Sequence, residues 1–192
     1  MGPARTAAYA NALFLTISFG TLAYSFYISD FTLLNVASNS NSLLPWFYKV
    51  AATWGSHEGS ILFWALMLTW WGFLVALTSR KLPQETVARV LGVMGFITAG
   101  FVAFMLFTSN PFLRLFPAAP EGADLNPLLQ DPGMVFHPPL LYMGYVGFTV
   151  PFAFAIAALI AGRLDAVWAR WMRPWTTMAW ILLTLGISLG SY

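Results

Sequence analysis

Two imidazoles and one carboxylate are this chain's candidates for chemistry. His57 and His137 are its only histidines, and each stands at the mouth of a long apolar run. Imidazole is a ligand for iron and other metals, and the edge of an apolar span is an unusual place to keep one. In Trp54-Gly55-Ser56-His57-Glu58-Gly59-Ser60, Glu58 could orient the His57 ring as carboxylates orient metal-bound imidazole. The same residues also fit a capping turn, with Ser56 or Ser60 closing a helix and Glu58 complementing its dipole. In Phe136-His137-Pro138-Pro139 the residue before proline is pushed out of the α region, and the prolines suit a first helical turn. This predicts an extended His137 whose ring projects above a helix mouth. An interfacial histidine bonded to a loop carbonyl is the alternative. Cysteine is absent, so any thiol chemistry must come from a partner.

The elements that position these residues are membrane elements. The chain is mostly apolar, rich in Phe and Trp and poor in charge, and it could not cover its hydrocarbon in water. Five runs are long enough to cross a bilayer core as helices, near Ala8–Ile28, Ser60–Thr78, Val90–Phe107, Leu140–Gly162 and Trp175–Tyr192. Together they predict a single all-α membrane domain over residues 1–192, a bundle of about five spans with two longer loops. The first run is too long for a secretory signal and lacks a small-x-small cleavage pattern after it. Arg5, Arg80, Lys81, Arg89, Arg163, Arg170 and Arg173 fall on one side of the predicted topology. The positive-inside rule therefore places the start in the cytoplasm. Asp30–Gly59 and Thr108–Pro139 then face the periplasm or its equivalent, with His57, His137 and Tyr192. The scattered bases are no nucleic-acid signal.

Leu43–Lys49, with Trp46, Phe47 and Tyr48, reads as a segment lying in the interface. Pro111, Pro117, Pro120, Pro127 and Pro132 predict an extended, irregular second loop of limited floppiness. Gly92, Gly95, Ala99 and Ala103, then Gly144 and Gly147, then Gly186 and Gly190, read as close-packing helix faces. Pro151 predicts a kink, since it removes a bond to the Gly147 carbonyl. Trp64, Met67 and Trp71 share a helix face and read as packing residues.

Several ordered runs carry a resemblance. Val36-Ala37-Ser38-Asn39-Ser40-Asn41, the Trp54–Ser60 run and Asp124-Leu125-Asn126-Pro127-Leu128-Leu129-Gln130-Asp131-Pro132-Gly133-Met134 resemble the CcmF family. So does the continuation from His137 through Gly147. The resemblance covers nearly the whole chain. CcmF is the haem lyase component of bacterial cytochrome c maturation, and NrfE is its relative for nitrite reductase.

The resemblance implies a function. Such proteins receive haem from the periplasmic chaperone CcmE and help attach it to CxxCH thiols of apocytochrome c. Further implied partners are the remainder of CcmF and thiol-reducing proteins such as CcmH. His137 matches the first of two periplasmic histidines taken to ligate the incoming haem iron; the second is expected beyond Tyr192. His57 and Glu58 would support the outer face. The family's tryptophan-rich WWD loop and its transmembrane histidines are not in this sequence, where the only Trp-Trp pair, Trp70-Trp71, lies inside a predicted helix. One axial ligand and no WWD loop make half a site, so this reads as an N-terminal portion that is not a lyase by itself. Two rival readings are a secondary transporter subunit with His57 and Glu58 as relay groups, which spans free of charge oppose, and a non-catalytic assembly scaffold.

Overall fold

A computed structural model describes residues 2–162 and 166–191, leaving Arg163 and Tyr192 of the predicted topology outside the described residues. Eight α-helices follow in order: α1 Pro3–Tyr27, α2 Leu34–Asn39, α3 Trp46–Gly55, α4 His57–Thr78, α5 Gln84–Thr108, α6 Pro132–Gly147, α7 Thr149–Ala161 and α8 Ala166–Gly190. Among the described residues there is no β-strand, only an isolated bridge between Leu33 and Arg114. Among the described residues four stretches are long and apolar enough to cross a membrane: Pro3–Tyr27, His57–Lys81, Gln84–Thr108 and Pro132–Ala161. The fifth expected span is present as the 25-residue α8, but it is not one of these four. Its first turns carry Arg170 and Arg173, so its apolar part begins well inside the helix.

The helices close their own backbone bonds, as an apolar surrounding requires. Their polar side chains fold back onto the same ladder: Thr16 Oγ1 donates to Ala12 O at 2.6 Å and Thr98 Oγ1 to Met94 O at 2.9 Å. Helix α4 is the core helix. In the most apolar window of His57–Lys81, 61% is buried, against 11% for Pro3–Tyr27. It packs on α1, α3, α5 and α6, and Leu68, Trp71, Val75 and Ala76 join Val90, Val150 and Phe154 in one apolar cluster. Trp71 is buried, and its indole N–H donates to Met143 O at 3.1 Å. Trp64 stacks among Phe101, Tyr142 and Tyr145. The expected packing role of Trp64, Met67 and Trp71 is therefore what the structure shows.

At Pro151 the expected kink takes the form of a one-residue interruption at Phe148, whose own backbone stays in the right-handed helical region. Helix α6 ends at Gly147, Phe148 is a turn, and α7 begins at Thr149. Phe148 N bonds to Tyr145 O at 3.2 Å, and the regular ladder resumes with Phe152 N to Phe148 O at 3.1 Å. The interruption lies where proline removes the donor to Gly147.

The small-residue faces divide. Gly144 lies directly against the Leu183 backbone, Gly147 against Trp71 and Ala179, Gly186 against Leu140 and Leu141, and Gly190 against His137. Those pairings run in opposite senses, so α6 and α8 are antiparallel and in close contact. Gly92 and Gly95 have open space where a Cβ would stand, and Ala99 and Ala103 are exposed. Gly92 and Gly95 instead line a cavity shared with Ala4, Ala8 and Asn11 of α1, so the close helix contact expected at these glycines does not form among the described residues.

The two long loops clasp each other at the end of the bundle that carries the histidines. Leu34 N donates to Leu113 O at 2.9 Å, Leu115 N to Thr32 O at 2.8 Å, and Ala123 N to Ala37 O at 2.7 Å. Glu121 accepts from Ser42 Oγ at 2.6 Å and from Ser42 N at 3.0 Å, while Asn41 Nδ2 donates to Asp124 at 2.9 Å. Beneath them Leu22, Phe26, Leu33, Val36, Leu62 and Leu125 form a second apolar cluster. Lys49 spends its charge locally, donating to Ser29 Oγ at 2.8 Å and Ser42 O at 3.0 Å. At the opposite end, Arg5 donates to Ala76 O and, at 2.8 Å, to Ser79 O, so a cation meets the carbonyl end of α4.

Candidate functional site

His137 is not in the extended segment that its position before proline predicts. Helix α6 starts earlier, at Pro132, and carries His137, Pro138 and Pro139 in its interior. Two local features set that start. Asp131 caps the helix by accepting Gly133 N at 2.7 Å, and Pro132 occupies the first turn, where a missing N–H leaves nothing unpaired. The interior prolines then deprive the Met134 and Val135 carbonyls of their helical donors. For Met134 a replacement arrives from another helix: Trp54 Nε1 donates to Met134 O at 2.9 Å. Part of the tension between prolines and helix is thus relieved by α3.

With its backbone helical, the His137 ring points sideways onto α8 rather than up from a helix mouth. It is half-buried, and Nδ1 lies 2.8 Å from Gly186 O. A carbonyl only accepts, so this bond puts the neutral ring's proton on Nδ1. Nε2 makes no hydrogen bond among the described residues and keeps its lone pair. The bond to a carbonyl matches the interfacial alternative in kind, but the carbonyl belongs to a helix and not to a loop.

His57 and Glu58 occupy the first turn of α4. Ser56 caps that helix, accepting Gly59 N at 3.1 Å, as the capping-turn reading expects. His57 is exposed, with Nε2 3.3 Å from Ser109 Oγ at the end of α5. Glu58 makes no side-chain hydrogen bond or ion pair among the described residues, so Ser109 is the group that orients His57. The two histidines share one end of the bundle, each ring with its own partner. No group of three or more His, Cys, Asp or Glu side chains fit to hold a metal exists among the described residues. The donor set is two separate imidazoles, each with one ring nitrogen engaged by a neighbour and one without a hydrogen bond among the described residues, which suits single axial positions on a haem iron and not a self-contained metal centre.

The family described as Cytochrome C assembly protein matches residues 54–192, which takes in His57, His137 and every helix from α4 onward. The chain belongs to this family. Among relatives of this cytochrome c assembly family, the cytochrome c-type biogenesis protein CcmF of Pseudomonas aeruginosa is 59% identical over 193 residues, covering 100% of the chain and 29% of the relative. CcmF of Escherichia coli is 60% identical over 186 residues, covering 95% and 29% respectively. NrfE of Haemophilus influenzae is 53% identical over 184 residues, covering 96% and 29%. A solved structure titled Cytochrome c Heme Lyase CcmF superposes with a TM-score of 0.81 at 30% identity, over 95% of this chain and 28% of that one. The chain thus spans less than a third of the length of these relatives. It is a multi-pass, nearly all-helical membrane protein of the CcmF and NrfE kind.

The sequence places His137 and His57 at one end of the bundle, where the structure also has them, but gives no sign of the α8 carbonyl that holds His137. The Gly186 and Gly190 pair was visible as a close-packing motif, but its register against α6 is not written in either helix. Ser109 carried no signal at all, lying 52 residues from its partner His57.

Proposed function

We propose that this chain supplies part of the haem site of a cytochrome c haem lyase, with His137 as an axial ligand to the iron. The observation that carries the reading is the state of the His137 ring. Its Nδ1 is engaged by Gly186 O, which leaves Nε2 as the lone pair available to a metal. In this reading haem is a substrate, received from the chaperone CcmE on the periplasmic side of a bacterial inner membrane, with the N-terminus of the chain in the cytoplasm. The apocytochrome provides the two thiols of its CxxCH segment, kept reduced by partners such as CcmH. Each S–H adds across a vinyl C=C of the porphyrin: a C–S bond forms, the thiol proton ends on the neighbouring carbon, and no oxidant is consumed. This chain's task is to hold and orient the iron while that addition occurs. The rest of the protein completes the site. His57 and Glu58 shape the same face without ligating.

The test is a reduced-minus-oxidised visible spectrum of the full-length protein copurified with CcmE, comparing wild type with His137→Ala. The expected outcome is loss of the chaperone-delivered haem signal while protein level and complex stay intact. An unchanged signal would move the ligand elsewhere and leave this chain as an assembly scaffold.

A further inference from the structure

Gly190 occupies an unusual place in the α6–α8 contact. A Cβ built there would stand 2.6 Å from His137 Nδ1 and 2.9 Å from Nε2, and closer still to Cε1. All three of these nearest atoms belong to the imidazole, and none to backbone. One turn earlier, Gly186 accepts the Nδ1 proton at 2.8 Å. The other tight glycines of this contact differ. At Gly144 an added Cβ meets the Leu183 backbone, and at Gly186 it meets Leu141 N at 2.9 Å.

We infer that Gly190 and the Gly186 carbonyl form a seat that sets the orientation and the tautomer of His137, making Gly186 and Gly190 positioning residues for its free Nε2. The inference rests on the reading of His137 as the haem ligand and adds the device that readies it. The mechanism is steric and electrostatic at once. Without a side chain at 190 the ring packs directly against α8, near enough for Nδ1–H to reach Gly186 O. That bond holds the proton on Nδ1, whereas an unconstrained neutral histidine side chain favours the proton on Nε2, where it would block ligation. Partners that fix tautomer and ring direction typically change metal affinity by about 10–100-fold when removed.

The distinguishing variant is Gly190→Ala in the full-length protein. The three atoms nearest its methyl group all belong to a side chain that can swing away, so the ring should leave the seat while the helices stay together. The readout is nitrogen NMR of the metal-free, histidine-labelled protein at alkaline pH, with the His137 signals identified by their loss in His137→Ala. Wild type should show Nδ1 protonated and Nε2 bare; Gly190→Ala should shift His137 toward the Nε2-protonated form. Haem capture from the chaperone should fall by about tenfold or more. If Gly190→Ala also lowers thermal stability, the double variant with His137→Ala should restore it, because the clash partner is then gone. An unchanged tautomer, or a stability loss that the double variant does not relieve, makes Gly190 an ordinary packing residue and overturns the inference. If His137→Ala itself keeps the haem signal, the ligand reading falls with it. If His137→Ala loses the signal but Gly190→Ala keeps both signal and tautomer, only the seat is refuted.

Discussion

At the scale of single residues, the local rules around His137 were right about each part and wrong about the result. Proline does disfavour helix in the residue before it and does remove a donor. The carbonyl freed at Met134 nevertheless finds the Trp54 indole, and Asp131 with Pro132 starts the helix six residues before Pro138. A hydrogen bond from 80 residues away is invisible to any local rule. Its weight can be measured. Trp54→Phe keeps the ring among Phe63 and its neighbours but leaves Met134 O unpaired. The full-length protein should lose about 1–3 kcal/mol, read as a lower unfolding temperature in detergent, and no loss would show that the bond is idle. Gly59 was legible only as part of a capping turn. A Cβ there would lie 2.6 Å from Ser56 Oγ, the atom that caps α4, and closer to Thr53 O.

At the scale of elements, the α6–α8 pair and the loop clasp carry the site. Close approach of α6 and α8 depends on Gly144, where an added methyl group would collide with the Leu183 backbone N and Cα, atoms that cannot move without the helix. Gly144→Ala should therefore destabilise by about 1–3 kcal/mol through overpacking, measured by the same unfolding experiment, and a neutral result would mean the helices have room to separate. The clasp has its own handle. Hydrogen bonds from the Ser42 hydroxyl, the Gly122 amide and the Ser42 amide hold the Glu121 carboxyl below its ordinary pKa. A carboxyl depressed on folding adds stability that is fully present above its unfolded pKa, near 4.5, and is lost as pH falls through the lower folded value. The protection of the Ser42 amide, its exchange rate relative to the intrinsic rate at the same pH, should accordingly fall on acidification below that point, and Glu121→Gln should remove the pH step; a step that persists in the variant would assign it to another group. The cross-loop bonds were not legible because they join partners about 80 residues apart, though proline content did foretell an ordered loop.

At the scale of the whole molecule, the basic and histidine ends are well separated. Arg5 and Arg80 lie at one end with the carbonyl terminus of α4, and His57, His137 and the clasped loops lie at the other. The orientation proposed for the membrane makes a direct prediction, helped by the lack of cysteine in this chain. In a full-length protein stripped of its other cysteines, Leu43→Cys should react with an impermeant maleimide in spheroplasts, while Lys81→Cys should react only after lysis. The reverse pattern would invert the topology. Composition and hydropathy by themselves determined that the chain is a helical membrane bundle, because the hydrocarbon core allows only structures that satisfy their backbone internally. Charge placement and motif order likewise put both histidines at one end and pointed to the family. Tertiary structure alone decided that α6 begins at Pro132, that α8 lies antiparallel against it, and that Gly186 and Gly190 receive the His137 ring. Those outcomes depend on the register between helices, and register is set by the steric fit of two surfaces that neither segment encodes alone.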